Sequence, residues 1–405
     1  MSPPQGFKSL PLPIAQLSLA AVLKCGQSFR WTSYPLKAAT AEENSKPVNI
    51  QQPTHEYRLV LRDRVICLRQ DSNTLFYRAL FSGGAVSVPT EEDVVRDKQT
   101  LAWLRDYFQL DTDLVKLYAE WSEKDNVFRE TVRDRFPGIR MLRQDPWENV
   151  VSFICSSNNH IGRITKMVQS LCVAFSDELC TLPSPPDGEE PSTTVAYHPF
   201  PTPQQLASDG VATKLRELGF GYRAEYVQRT AQMLCEEHKD PEEYLKSLRT
   251  LPVEEARAEL LKLCGVGPKV ADCILLMSMD KRAVVPVDTH VHQIALKYYG
   301  LKGTPQGKGG KVPMTPKIYE VVATKLIQTW GEYAGWAHSV LFTADLRSFA
   351  NYGLETPNDS PIKSPATPVP PTPSETDTDY FGPSPTKRRR SDTNTRPQPK
   401  RVKTK

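Results

Sequence analysis

The stretch from Glu254 to His290, EEARAELLKLCGVGPKVADCILLMSMDKRAVVPVDTH, constrains the fold more than any other part of the chain. It holds an amphipathic run, a Gly-Val-Gly hinge, a second apolar-periodic run and a β-branched segment that stops at an aspartate. Gly265 and Gly267 can both take the positive φ that joins two helices through a tight turn, so the stretch predicts a helix-hairpin-helix. Such a hinge leaves unpaired backbone N–H groups at the start of the second helix. The helix dipole favours an anion there too, and a nucleic-acid phosphate is a natural ligand.

On the second helix Lys269, Cys273 and Met277 recur every four residues, so one face carries an amine, a thiol and a thioether, while Val270, Ile274 and Met279 read as core. A lysine in the first turn sits on the wrong side of the dipole, which disfavours its charged form and helps make it a nucleophile. Nineteen residues on, Val284 to Val287 reads as an extended run ending at the helix N-cap Asp288, with a helix expected from Thr289 to Tyr299. Taken singly, Lys269 is a solvated or phosphate-contacting lysine, Asp288 an N-cap and Cys273 a small buried hydrophobe. Their joint spacing points to chemistry.

At 405 residues the chain accommodates two domains and a tail, and its 35 prolines are too many for one compact body. The tail from Asn351 carries 10 Lys/Arg and 6 Asp/Glu, which leaves 41 of each sign before it. The body is formally neutral, so any nucleic-acid binding must rest on local placement of basic groups and backbone amides. Eight cysteines, none in a C-x-x-C pair, predict reduced thiols in an intracellular protein. No apolar run approaches membrane-spanning length, and the N-terminus has neither a signal-peptide core nor an Arg-rich presequence pattern; a protein free of membrane is expected.

Residues 14 to 24 read as a short helix. Alternation in Tyr57–Leu61, Val65–Arg69 and Thr74–Phe81 predicts an antiparallel sheet, with residues 36–56 as a polar excursion. Helical spacing follows over 91–107, Asp113–Tyr118, Asp125–Phe136, Pro146–Ser157 and Ile161–Phe175, with Asp145 as the N-cap before Pro146. Thr181 to Pro203 reads as an exposed linker, 302–316 as a flexible insertion, and Tyr333 to Leu346 as the last helix. The fold class is α+β, in three parts: an N-terminal antiparallel β domain (1–115), an α-helical helix-hairpin-helix region (116–350) and a disordered Pro/Ser/Thr-rich basic tail (351–405). Basic clusters at 387–390 and 400–403 predict a nuclear address.

GVGPKVADC followed by VPVDTHV resembles the signature of the helix-hairpin-helix, Gly-Pro-Asp superfamily of DNA glycosylases. The wider chain resembles the eukaryotic 8-oxoguanine DNA glycosylases, fungal-like in its extended tail. The segments GQSFRW (26–31), YFQLD (107–111), RQDPWENVVSFICSSNNHIGRI (143–164), GFGYRAEYV (219–227) and YAGWAHSVLFTADLR (333–347) occur in the family's order over most of residues 10 to 350.

The resemblance implies a base-excision enzyme that flips 8-oxoguanine, paired with cytosine, out of duplex DNA. Lys269 would attack C1′, Asp288 would balance charge on the sugar, and a Schiff base would then permit β-elimination 3′ to the site. The base pocket would comprise Cys273 and Phe342 on the two faces of the purine, Met277 and His338 at its edges, and the Gly26 carbonyl at N7–H. Asn158 would fill the gap left by the flipped nucleotide, Tyr222 would wedge beside the orphaned cytosine, and Arg163 and Arg223 would hydrogen-bond it. His290 and the amides of Gly265, Gly267 and Val270 would hold phosphate. No cofactor is implied, since no cysteine follows Cys273 to build the four-cysteine cluster of some superfamily members. The expected partners are damaged double-stranded DNA and downstream base-excision-repair proteins, with the enzyme as a monomer. One departure stands out: the family usually has glutamine where His338 stands, and imidazole cannot offer an amide's donor and acceptor on one edge, which puts selectivity against other purines in doubt. Two other readings compete: a glycosylase for another lesion such as an oxidised pyrimidine, and a catalytically silent DNA-binding module that uses only the hairpin.

Overall fold

The computed structural model describes residues 3–37, 52–81, 91–188, 193–301 and 315–354. The insertion at 302–314 and the tail from 355, with its basic clusters, lie outside the described residues. All described residues belong to one compact unit. Among them, no helix is long and apolar enough to cross a membrane.

Strands β1 (Lys8–Pro11), β2 (Thr32–Pro35), β3 (His55–Val60), β4 (Arg64–Gln70) and β5 (Thr74–Phe81) form an antiparallel sheet in the order β1-β5-β4-β3-β2. The three central strands match the alternation in the sequence; the two edge strands, four residues each, are too short to show it. Between β1 and β2 only Leu19–Val22 is helical (α1). The expected helix over 14–24 starts late because the Leu12 and Ile14 N–H groups donate to the carbonyls of Asn73 (2.9 Å) and Ser72 (3.0 Å), holding that backbone beside the β4–β5 turn.

Both faces of the sheet are covered, as strand alternation permits. Ile66 and Leu68 face a core shared with Leu17, Leu19 and Val22, with Leu104 of the next helix and with Phe108 just after it. Val65 and Cys67 face Phe7 and Tyr197. The second cover is a correction to the sequence reading, which made Thr181 to Pro203 an exposed linker. The segment contains a hairpin, β6 (Cys180–Pro183) with β7 (Thr194–Tyr197), docked on the sheet. Buried Glu56 explains the docking: its two carboxylate oxygens accept from Arg58 Nε (2.6 Å) and Arg69 Nε (2.8 Å). Arg58 also donates to the Pro183 carbonyl (2.7 Å), and Arg69 makes a fork to Asp187 (2.7 and 2.8 Å). Charged groups buried in a strand pair demand partners, and the hairpin supplies them.

The helical part runs α2 (Glu91–Tyr107), α3 (Leu114–Lys124), α4 (Asn126–Thr131), α5 (Pro146–Ser156) and α6 (Ile161–Phe175) before the hairpin. After it come α7 (Pro203–Ala207), α8 (Val211–Glu217), α9 (Arg223–Glu237), α10 (Pro241–Ser247), α11 (Val253–Lys262), α12 (Pro268–Ser278), α13 (Thr289–Tyr298), α14 (Pro316–Trp330) and α15 (Ala334–Asp345). α4 stops five residues short of the helix expected to reach Phe136. Asp113, Asp125, Asp145 and Asp288 each cap a helix N-terminus through the side chain. One core joins α5, α6, α9 and α12, and a second joins α3, α4 and α13–α15. α12 lies between them: Ile274 and Leu275 enter the first core and Leu276 the second. The sequence-predicted core residues Val270, Ile274 and Met279 are all buried.

Candidate active site

α11 and α12 form the hairpin that the two glycines predict, but the glycines do different things. Gly265 has φ +82, and a Cβ there would sit 2.7 Å from the Tyr226 ring, so conformation and space both require glycine. Gly267 has φ −94 and ψ 179, ordinary extended backbone, which corrects the expectation of a positive φ. A Cβ on Gly267 would meet nothing within 4 Å, so its bare backbone leaves room for an external group at the start of α12. Thr230 Oγ1 donates to the Cys264 carbonyl (2.8 Å) and ties the hinge to α9.

In the first turn of α12, Lys269 enters a cavity at the seam of the two helical cores. Cys273, Met277, Gly26, Asp288, His338 and Phe342 line it too, so the structure brings the proposed catalytic pair and all five predicted pocket residues to one place. Gly26 comes from the loop before β2, Asp288 from the N-cap of α13, and His338 and Phe342 from successive turns of α15. Gly26 has φ +88, and a Cβ on it would lie 2.9 Å from Ile161 Cδ1. The adjacent buried Gln27 fixes this loop, since its side chain accepts from Leu142 N–H (2.9 Å) and donates to the Arg140 carbonyl (3.1 Å).

The sequence reading missed Phe153 and Cys25. Phe153 of α5 presents its ring 5.5 Å from Lys269 Nζ, a cation–π contact that helps orient the amine. In the sequence it is one apolar residue of a helix, indistinguishable from core. Cys25 lines the cavity beside Gly26, and its place in the segment before GQSFRW is the only signal that could have exposed it.

Burial sets the charge states. It works to lower the Lys269 ammonium, but the adjoining Cys273 side chain and the Asp288 carboxylate work the other way, and the amine is held above its ordinary value. The dipole's tendency to disfavour the charged form is therefore outweighed, and Lys269 rests as the ammonium. Burial pushes the Cys273 thiol up to about 11 against the pull of Lys269, so it is a neutral surface for an aromatic base. Burial lowers His338 to about 4, and both of its ring nitrogens lack a protein partner, leaving a neutral imidazole with a free donor and a free acceptor in the cavity.

The Asp288 carboxylate accepts the N–H groups of His290 (3.0 Å) and Val291 (2.9 Å), which fixes its position at the head of α13. The His290 ring meets Phe342 edge to face at 5.4 Å, and its Nε2 lies 2.9 Å from Asp345 Oδ2, off the line of a hydrogen bond.

The four residues predicted to read DNA come together where the loop before α6 and the first turn of α6 face the turn that opens α9. Asn158 has φ +50, in the left-handed region that asparagine tolerates. The exposed Tyr222 donates to the Ser157 carbonyl (3.2 Å), and its hydroxyl lies 3.5 Å from Asn158 Nδ2. Arg163 donates to the Gly219 carbonyl at 3.1 Å. Arg223 is buried: its guanidinium, 4.5 Å from the Tyr222 ring, donates to the Ser157 carbonyl (3.0 Å, from Nε) and the Asn158 carbonyl (3.0 Å). In the DNA-free protein Arg223 thus holds the Asn158 loop in place.

Comparison with known proteins places these features in a family. Residues 9–150 match the model of the 8-oxoguanine DNA glycosylase N-terminal domain, and residues 151–309 that of the HhH-GPD superfamily of base excision DNA repair proteins. The chain is 35% identical to the N-glycosylase/DNA lyase of Saccharomyces cerevisiae over 357 residues, covering 84% of this chain and 86% of the yeast protein. It is 42% identical to the N-glycosylase/DNA lyase OGG1 of Arabidopsis thaliana over 243 residues, 60% of this chain and 61% of that one. Among solved structures, MBOgg1 in complex with a low affinity DNA ligand superposes with a TM-score of 0.61 at 25% identity, covering 85% of this chain and 96% of that one.

Proposed function

This chain belongs to the HhH-GPD superfamily of base excision DNA repair proteins, among the 8-oxoguanine-type N-glycosylase/DNA lyases, and from that premise we propose how its residues carry out excision and strand nicking. It excises 8-oxoguanine from duplex DNA and cleaves the resulting abasic site. The observation that carries the residue assignments is the meeting of Lys269, Asp288, Cys273, Phe342, His338 and Gly26 around one cavity.

A base stacked in a duplex is out of reach, so the nucleotide is flipped into this cavity. Asn158 and Tyr222 fill the gap it leaves, and Arg163 and Arg223 turn their donors from backbone carbonyls to the orphaned cytosine. Gly267, His290 and the N-terminus of α12 hold the backbone phosphates. The Cys273 thiol and the Phe342 ring sandwich the purine. Gly26 offers its carbonyl to N7–H, and neutral His338 meets the far edge.

Lys269 starts as an ammonium, so attack requires loss of a proton, and the departing base requires one. The amine forms its bond to C1′ as the C1′–N9 bond breaks, the bonding pair leaves on the base, and the proton passes from the lysine to the base through the groups between them. Asp288 stabilises positive charge developing on the sugar. Ring opening converts the adduct to a Schiff base, whose acidified C2′ proton is removed as the 3′ phosphate leaves.

The deciding experiment is borohydride trapping on duplexes with 8-oxoguanine opposite each base, comparing wild type with Lys269→Gln. A covalent adduct strongest opposite cytosine and absent in the variant is expected; base release without an adduct would refute the lysine's role. The enzyme acts as a monomer on DNA and hands its nicked product to downstream repair proteins. The basic clusters at 387–390 and 400–403 support a nuclear address, testable by deleting them from a fluorescent fusion.

A further inference from the structure

We propose that Tyr319, on α14 beyond the region matched by the superfamily model, is a positioning residue that sets Asp288 against Lys269. Its hydroxyl joins two segments that carry the chemistry. It donates to Asp272 Oδ2 at 2.5 Å, and it accepts the backbone N–H of Val287 at 3.3 Å. Asp272 is buried on α12, between Lys269 and Cys273 in sequence, and Val287 immediately precedes Asp288. The other oxygen of Asp272 accepts from Arg257 Nε (2.9 Å), and Arg257 also grips Glu254 (2.6 and 2.7 Å). A continuous hydrogen-bonded line therefore runs from α11 through α12 and Tyr319 to the backbone before Asp288.

The segment 284–287 has no strand partner, so it depends on such contacts for its register. Its side chains Val285 and Val287 enter the core that α14 helps to build, while Pro286 faces the cavity. Apolar packing alone tolerates sliding, whereas a hydrogen bond to the Val287 amide fixes the segment along its length. Asp272 needs its two donors because a buried carboxylate without them is costly. Together they hold both ends of the relay rigid, and small misplacements of reacting groups are expensive in rate.

This inference rests on the excision reading above. The test uses full-length wild type, Tyr319→Phe, Asp288→Asn and the double variant, with an 8-oxoguanine:cytosine duplex. Phenylalanine keeps the ring in the core, and asparagine keeps the N-cap while removing the charge. Tyr319→Phe is expected to slow single-turnover base release by about tenfold or more, with duplex Kd changed by less than about twofold and Val287 amide exchange accelerated. In the Asp288→Asn background it should cost less than about twofold, because it acts through that carboxylate. An equal loss in both backgrounds, a loss confined to DNA affinity, or unchanged Val287 exchange would overturn the proposal. A wild-type protein that releases no 8-oxoguanine defeats the functional reading and this role with it; an active wild type with an unaffected Tyr319→Phe defeats the positioning role alone.

Discussion

Gly26→Ala tests the lesion pocket at the point where backbone conformation and space coincide. With φ +88, an alanine there occupies a left-handed conformation that costs roughly 1–2 kcal/mol. The added Cβ also lies 2.9 Å from Ile161 Cδ1, but that atom is the end of a flexible chain and can rotate aside. The stability loss should therefore stay near 1–2 kcal/mol, a roughly 5- to 30-fold shift in the folded-to-unfolded ratio, while the effect on excision is larger because the methyl group intrudes where the base must approach the carbonyl. Denaturant melts give the first number and single-turnover release of 8-oxoguanine the second. Ile161→Ala removes both Cδ1 (2.9 Å) and Cγ1 (3.1 Å) and so separates the two causes: in the double variant the contact is relieved but the backbone strain is not. If Gly26→Ala excises at the wild-type rate, the backbone of this loop does not read the base. Recovery of excision in the double variant would show instead that displaced Ile161, and not the backbone at Gly26, was responsible.

Two further outcomes follow from buried charge. His338 has a folded value of about 4, below the ordinary 6.5, so the unfolded chain binds more protons between those values and stability falls as pH drops from above 6.5 through 4, by a total on the order of 3 kcal/mol. Melting temperatures across that range should decline more steeply for wild type than for His338→Gln; parallel curves would mean that the imidazole is solvated. Glu56→Ala leaves the buried Arg58 and Arg69 without their shared carboxylate and is expected to destabilise the protein by roughly 3–5 kcal/mol, with early proteolysis in the 180–197 hairpin. A loss under about 1 kcal/mol would show that the cluster does not hold the hairpin.

Where a local rule sufficed, the sequence was legible. The hairpin, the aspartate caps at 145 and 288 and the helix Ile161–Phe175 follow from backbone chemistry within a few residues, and the structure has them where the residues place them. The 181–203 segment failed that test because its proline and serine content describes a chain in water, whereas its fold is dictated by Arg58 and Arg69 more than a hundred residues away. The charge of Lys269 failed for a related reason. Its place in the first turn of α12 disfavours the charged form, but Cys273 and Asp288 act on it through space and the net shift is upward.

By itself the sequence determined which residues could do chemistry, the hinge that presents them and the family resemblance that orders them, because turn geometry, helical period and capping act over a few residues. Only the tertiary structure decided that Phe153 lies over Lys269, that His338 keeps both nitrogens free, that Arg223 is spent on the Asn158 loop, and that Tyr319 ties α12 to the segment before Asp288. Those facts depend on burial and on distances between residues far apart in the chain, where the dielectric environment and the available partners are properties of the packed whole.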